Sequence, residues 1–167
     1  TKLESLGKWY RQLMGESLGK QFDKSGKEVF NGMSPTVAIG STDLHSIAQL
    51  YLGGPWDKYV TFIAPMSTYQ VKLPKRKAFD ELVSNIQSKS LADIMEAIIE
   101  GIQGAFLKQG RPFNAVRLDS NDAYDLGAFM QWKMCEIVFL AALMNVNPFD
   151  QPNVEEYKIV TKDVLKQ

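Results

Sequence analysis

The 167 residues carry 19 Lys+Arg against 19 Asp+Glu. No net field favours a polyanion, which argues against general nucleic-acid or anionic-membrane binding. At 45% hydrophobic and 23% charged the chain is too apolar for disorder, and one of this size can hide roughly 70% of the surface its unfolded form exposes, so one folded domain is expected. The single Cys135 excludes an internal disulfide and fits a reducing, cytoplasmic setting. The longest uninterrupted apolar run, Ile137 to Met144, falls short of the about 20 residues of a membrane span, and Glu4, Arg11 and Glu16 break up any signal-peptide core. Neither a transmembrane helix nor a leader is expected. The chain starts at Thr1, already inside an amphipathic pattern, as though cut from something longer.

Leu3, Leu6, Tyr10 and Leu13 recur at spacings of three and four, which predicts a first helix running to about Lys20. A polar loop containing Gly26 and Gly32 follows. Thr36-Val37-Ala38-Ile39, bounded by Pro35 and Gly40, reads as a short, fully buried strand. Ser41 and Thr42 then cap a helix that turns Leu44, Ile47, Ala48 and Tyr51 inward and ends at Gly53-Gly54-Pro55. Tyr59 to Ile63 repeats the buried-strand pattern, and Tyr69 to Leu73 is a shorter strand or an extended connection. Ser90 caps a helix with Leu91, Ile94, Met95, Ile98, Ile99 and Ile102 toward the core, and Phe113 to Leu118 is the next strand. A long helix covers about Ala123 to Met144, apolar nearly all round in its second half as for a helix packed on several sides. A last helix begins near Asn153, with Glu156 as a reciprocal capping partner. Strands alternating with helices predict an α/β fold with a mainly parallel sheet flanked by helices, whose ligands lie beyond the carboxyl ends of the strands.

Three ionisable residues are candidates for chemistry. Glu16 follows Gln12 by four residues, so both project from one side of the first helix, just beyond its apolar stripe. A carboxylate half shielded there is a more effective proton acceptor; the bland alternative is a solvated surface pair. His45, the only histidine, falls in the first turn of a helix after a buried strand, where orphan N–H groups and the helix dipole oppose a positive charge and favour a neutral, proton-accepting imidazole. The alternative is a capping or surface histidine. Lys158 shares a helix face with Val154 and Leu165, so it is either an ammonium held at a cleft floor, with Glu155 as a positioning partner, or a lysine whose stem lies on apolar surface. One His and one Cys do not make a structural zinc site. The run Lys72-Leu73-Pro74-Lys75-Arg76-Lys77 lacks aromatic interleaving and reads as a solvated loop.

The segment Phe149-Asp150-Gln151-Pro152-Asn153-Val154-Glu155-Glu156-Tyr157-Lys158 resembles the second signature of the phosphoglucose isomerase (glucose-6-phosphate isomerase) family. It departs once, at Asn153, where the family has glycine; asparagine is the commonest non-glycine residue in left-handed geometry. Gly40-Ser41-Thr42-Asp43-Leu44-His45-Ser46 is similar to the family's strand-to-helix turn bearing a catalytic histidine, and Met14-Gly15-Glu16-Ser17-Leu18-Gly19-Lys20 to the stretch bearing its catalytic glutamate. The resemblance weakens between about Met66 and Gly110.

The resemblance implies a sugar isomerase (SIS) fold, a three-layer sandwich, with residues 1–167 forming the C-terminal SIS domain plus the helix before it and the N-terminal SIS domain absent, so that the chain alone is inactive or nearly so. It implies aldose–ketose isomerisation of a hexose 6-phosphate through a cis-enediol, with no metal or other cofactor. Glu16 is the implied base between C2 and C1, and His45 and Lys158 assist ring opening. Gln12 and Gln151 are the implied substrate-binding residues, and a homodimer with His45 reaching the partner's site is implied. Three alternatives are a non-catalytic sugar-phosphate-binding SIS module, part of a fusion with another sugar-phosphate enzyme such as a transaldolase, and a purely structural interaction domain.

Overall fold

The computed structural model describes residues 3–66 and 70–166. They group into two compact units: Thr1–Val37 with Asp122–Gln167, and Ala38–Asn121.

The first unit is built on α1 (Glu4–Leu18) and α5 (Ala123–Leu143), with a hairpin of β1 (Lys20–Phe22) and β2 (Glu28–Asn31) directly after α1 and with α6 (Pro152–Val164) after α5. Leu18 from α1, Ile137 and Ala141 from α5 and Val146 just beyond it are buried together, with Tyr10, Leu13, Met14, Leu140 and Met144 packed around them. The predicted 3.6-residue stripe of α1 is thus the face that meets α5. The hairpin lies where a polar loop is expected. Its turn is organised by Asp23, whose Oδ1 accepts from the Ser25 and Lys27 backbone N–H groups and the Ser25 hydroxyl at 2.8, 3.0 and 2.6 Å, while Gly26 takes φ +81°, a conformation open to glycine at no steric cost.

Helix α5 ends in a left-handed Asn145 (φ +57°), with Val146 N–H donating to Ala141 O at 2.9 Å and Asn145 N–H to Ala142 O at 3.2 Å. This is the double-bonded Schellman termination, with Val146 as its hydrophobic residue. By length and composition α5 is apolar enough to cross a membrane, which the uninterrupted-run criterion misses because Lys133 and Glu136 divide two apolar stretches. Lys133 is nevertheless buried against Tyr10 of α1, and one face of α5 forms this unit's core. Packing on several sides is not what the described residues show: Phe139 and Leu143 are exposed.

The second unit holds α2 (Ile47–Gly53), β3 (Val60–Pro65), a single turn α3 (Asp80–Val83), α4 (Leu91–Lys108) and β4 (Phe113–Leu118). Strands β3 and β4 pair in parallel from Val60↔Phe113 to Pro65↔Leu118, and α4 lies between them in sequence, as a parallel connection requires. Phe62 of β3, Phe106 of α4 and Phe113 of β4 meet edge to face with centroids 5.2–5.8 Å apart, an arrangement the ring quadrupoles favour. Leu91 and Met95, expected to face the core, are exposed. At the end of α2 the Arg111 guanidinium donates to Leu52 O and Gly54 O at 2.6 and 2.7 Å, beneath the Trp56 ring.

The predicted Ser90 cap is a full capping box: Ser90 Oγ accepts from Asp93 N–H and the Asp93 carboxylate accepts from Ser90 N–H, each at 3.0 Å. Ser90→Ala is expected to lower stability by about 1 kcal/mol, read from the urea midpoint; an unchanged midpoint would show that tertiary packing alone sets the start of α4.

The strand expected at residues 36–39 is not one. Only Val37 and Ile39 are half-buried, Thr36 and Ala38 are exposed, and no ladder forms. The Ile39 N–H and C=O are taken locally by Asp43, its carboxylate at 2.6 Å and its N–H at 3.0 Å. Val37 instead packs on α1, where a Cβ on Gly7 would lie 2.7 Å from Val37 Cγ1. Of the strand considered at residues 69–73, Tyr69 lies outside the described residues, and Lys72 makes only an isolated bridge to Ser90.

Candidate active site

Glu16 sits in the last turn of α1, and the hairpin and the Schellman turn of α5 bring a second segment to it. The Lys24 N–H donates to Asn145 O at 2.8 Å, and Asn145 Nδ2 to Asp23 Oδ2 at 3.3 Å, so the end of α5 is fastened to the hairpin that leaves α1. The chain then turns through Asn147, whose Oδ1 accepts the Phe149 N–H at 3.2 Å and whose Nδ2 donates to Asp150 Oδ2 at 2.7 Å. Gln151 follows as the residue before α6, with Pro152 in the first helical position, where its missing N–H is no loss.

The result is a carboxylate held from two directions. Gln12 Nε2 donates to Glu16 Oε1 at 3.1 Å from one turn earlier on α1, and Gln151 Nε2 lies 3.4 Å from Glu16 Oε2 from 135 residues away. With one amide directed at each oxygen, the plane of the carboxylate is oriented. Glu16 is exposed rather than half shielded, because those two amides are what covers it within this unit. An open groove alongside is lined by Lys20, Gln21, Asp150 and Pro152 among others.

Lys158 does not join this cluster. Its Nζ pairs with Glu155 Oε1 at 2.6 Å, and Glu155, by that hydrogen bond first, holds the ammonium above the ordinary lysine range. Both side chains are exposed, so Lys158 is not at a closed cleft floor. His45 belongs to the other unit. It is exposed and closes a 3-10 turn (Thr42–His45), with α2 starting only at Ile47; the expected place in the first turn of an α-helix is therefore not where it lies. The cause is Asp43: its carboxylate binds the Ile39 N–H, and its carbonyl accepts from Ser46 N–H and Oγ, each at 3.1 Å, closing a tight turn before the helix begins. Asn153 does not cap α6 either, since its Nδ2 reaches Gln21 Oε1 at 3.3 Å.

Two residues that sequence reasoning passed over are central to this geometry. Lys20 is 5% exposed, and its Nζ donates to Glu16 O at 3.0 Å and to Asp150 O, and lies 3.1 Å from Asp150 Oδ1. Asp150 is held below the usual carboxylate range chiefly by the bond from Lys20. The signal for Lys20 was its place four residues after Glu16, one helical turn on. Among the described residues no group of three or more His, Cys, Asp or Glu side chains is placed to hold a metal.

No protein-family model matches the chain. Curated relatives do. The glucose-6-phosphate isomerase of Carboxydothermus hydrogenoformans is 34% identical over 166 residues, 98% of this chain and 35% of that protein. That of Methanocaldococcus jannaschii is 32% identical over 165 residues, 99% of this chain and 38% of that protein. Among solved structures, a Thermus thermophilus protein described as hypothetical superposes with a TM-score of 0.90 at 34% identity, over 99% of this chain and 39% of that one. A glucose-6-phosphate isomerase from Chlamydia trachomatis gives 0.77 at 18% identity, over 98% of this chain and 32% of that one. The last likeness speaks for the fold alone and bears out the expected SIS-type class, a parallel sheet flanked by helices. Over almost all of its 167 residues this chain is therefore related in sequence and fold to the glucose-6-phosphate isomerases, and it spans a little over a third of the length of the curated relatives it matches.

Proposed function

We propose that this chain supplies proton-transfer groups for the interconversion of glucose 6-phosphate and fructose 6-phosphate. The observation that carries the reading is the Glu16 carboxylate oriented by Gln12 and Gln151, supported by the names of the relatives. In the forward direction Glu16 removes the proton from C2 of the open-chain aldose. The C2–H electron pair becomes the C1=C2 bond of a cis-enediol, and the C1 carbonyl oxygen takes a proton. Reprotonation at C1, with loss of the hydroxyl proton at O2, gives the ketose, so the oxidation at C2 is balanced by the reduction at C1. A carbon acid this weak needs a positioned base and a cation near the developing oxyanion. Gln12 and Gln151 serve as substrate hydrogen-bonding groups. Lys158, kept protonated by Glu155, and His45 assist ring opening.

The chain is read as the C-terminal SIS-domain portion of an isomerase, working in the cytoplasm as a homodimer in which His45 is contributed across the interface. The test is a polypeptide of the relatives' length carrying this chain, incubated with fructose 6-phosphate in deuterated water. Glucose 6-phosphate carrying solvent deuterium at C2 is expected. Sugar-phosphate binding without interconversion would replace the isomerase by a sensing module. In the same protein His45→Ala is expected to lower turnover of the cyclic sugar about 10²-fold and that of a substrate presented in open-chain form far less. Equal losses on both would remove the ring-opening role.

A further inference from the structure

We infer that Lys20 is a positioning residue for the catalytic base, a reading that rests on Glu16 acting as that base. Glu16 and Gln151 are 135 residues apart in the chain, so their alignment depends on noncovalent ties. Their direct contact, at 3.4 Å, is longer than a normal N–H···O bond and cannot by itself hold two segments in register. Lys20 supplies the stronger tie. Its ammonium has three N–H donors and three acceptors around it: the Glu16 carbonyl at the end of α1, and the Asp150 carbonyl and Oδ1 immediately before Gln151. The second Asp150 oxygen is held by Asn147.

A lysine this buried is costly unless it is fully paired, and a methionine of similar reach would fill the same space without charge. What the ammonium adds is a three-point clamp, built of charge-assisted bonds, between the backbone of the base and the backbone of the loop that delivers Gln151. It also places a cation at the C-terminal end of α1, where the helix dipole favours one. Slackening the clamp lets Gln151 drift off Glu16 Oε2 and frees the carboxylate plane to turn, and misplacing a reacting group by about 1 Å can lower a rate about 10²-fold.

The experiment has two readouts. In the 167-residue chain, the nuclear Overhauser contact between the Gln151 side-chain amide and the Glu16 side chain is expected to vanish in Lys20→Met and return in Lys20→Arg, while the Gln12 contact stays. In the polypeptide of the relatives' length, Lys20→Met and Asp150→Asn are each expected to lower kcat about 30-fold or more at temperatures where both are folded, short of the full factor for a misplaced group. The double variant is expected to lose no more than the worse single one, because both changes break the same clamp. Should Lys20→Met not fold, Asp150→Asn, at a half-exposed site, carries both readouts. Persistence of the Gln151–Glu16 contact in the variant overturns the clamp. A lowered Tm with kcat within threefold of the parent, when Glu16→Gln is inactive, leaves Lys20 a structural residue only. Full turnover in Glu16→Gln removes the base itself, and with it the catalytic part of the inference, without altering the amide signal.

Discussion

In the polypeptide of the relatives' length, and on the proposed reading of Glu16 as the base, Glu16→Gln is expected to lower isomerase turnover about 10³-fold, the middle of the range for a positioned general base, with KM and the affinity for a sugar phosphate largely kept. The expectation follows from the geometry around the side chain. Glutamine has the length of glutamate and can still meet Gln12 and Gln151, after an amide flip at one of the two contacts, so the loop and helix keep their relation. What is lost is the basic oxygen. A substitution that preserves shape and removes only proton affinity separates chemistry from binding: kcat and kcat/KM fall together when the missing interaction belongs to the transition state. Measurement of both parameters, with exchange of the C2 proton into solvent as a second readout, decides the matter. Unchanged turnover would take the base assignment away from Glu16. A rise in KM at constant kcat would make Glu16 a binding residue.

The second large effect is on stability and concerns the packing of α1 on α5 rather than the base. Lys133 of α5 is 1% exposed, with its ammonium 2.5 Å from Glu136 Oε2 and close to the rings of Tyr10 (5.0 Å) and Trp132 (4.5 Å). The Tyr10 hydroxyl donates to the same Glu136 oxygen at 3.3 Å; burial first, and then the Glu136 charge, push the Tyr10 phenol above its ordinary range. Glu136→Ala leaves a buried cation with only aromatic faces for company and an orphaned hydroxyl, so a loss of about 3 kcal/mol is expected. The informative companion is Lys133→Met with Glu136→Ala. Removing both charges ends the desolvation penalty, so the double variant is expected to be more stable than Glu136→Ala alone. Urea midpoints of the parent, the single and the double variants test this. A double variant less stable than Glu136→Ala would mean that the aromatic contacts of Lys133, rather than its pairing, hold α1 against α5.

The exposed Phe139 and Leu143 of α5 mark how far local pattern can be trusted. Periodicity reports that a face is apolar; whether anything covers it depends on which neighbours the chain supplies. The segment 36–39 has the composition of a buried strand, but a strand exists only as one side of a ladder, and Asp43 takes the Ile39 N–H and C=O that a ladder would have used. The hairpin at 20–31 went unseen for the opposite reason: it is specified by one aspartate side chain closing a turn, a signal too short to register as a period.

What the amino-acid order determined by itself was local in cause: the stripe of α1, the Gln12–Glu16 pair one turn apart, the Ser90–Asp93 cap, the Phe113–Leu118 strand and the motif segments that carry the family resemblance. Only the tertiary structure decided that Gln151 meets Glu16 and that Lys20 and Lys133 are interior residues. The physical reason is that a charged side chain is read locally as solvated, and it becomes buried only where distant segments bring what replaces its water, acceptors for Lys20 and the Tyr10 ring for Lys133. Such acceptors, like the Asp150 carbonyl and carboxylate around Lys20, have no counterpart in the residues nearby in sequence.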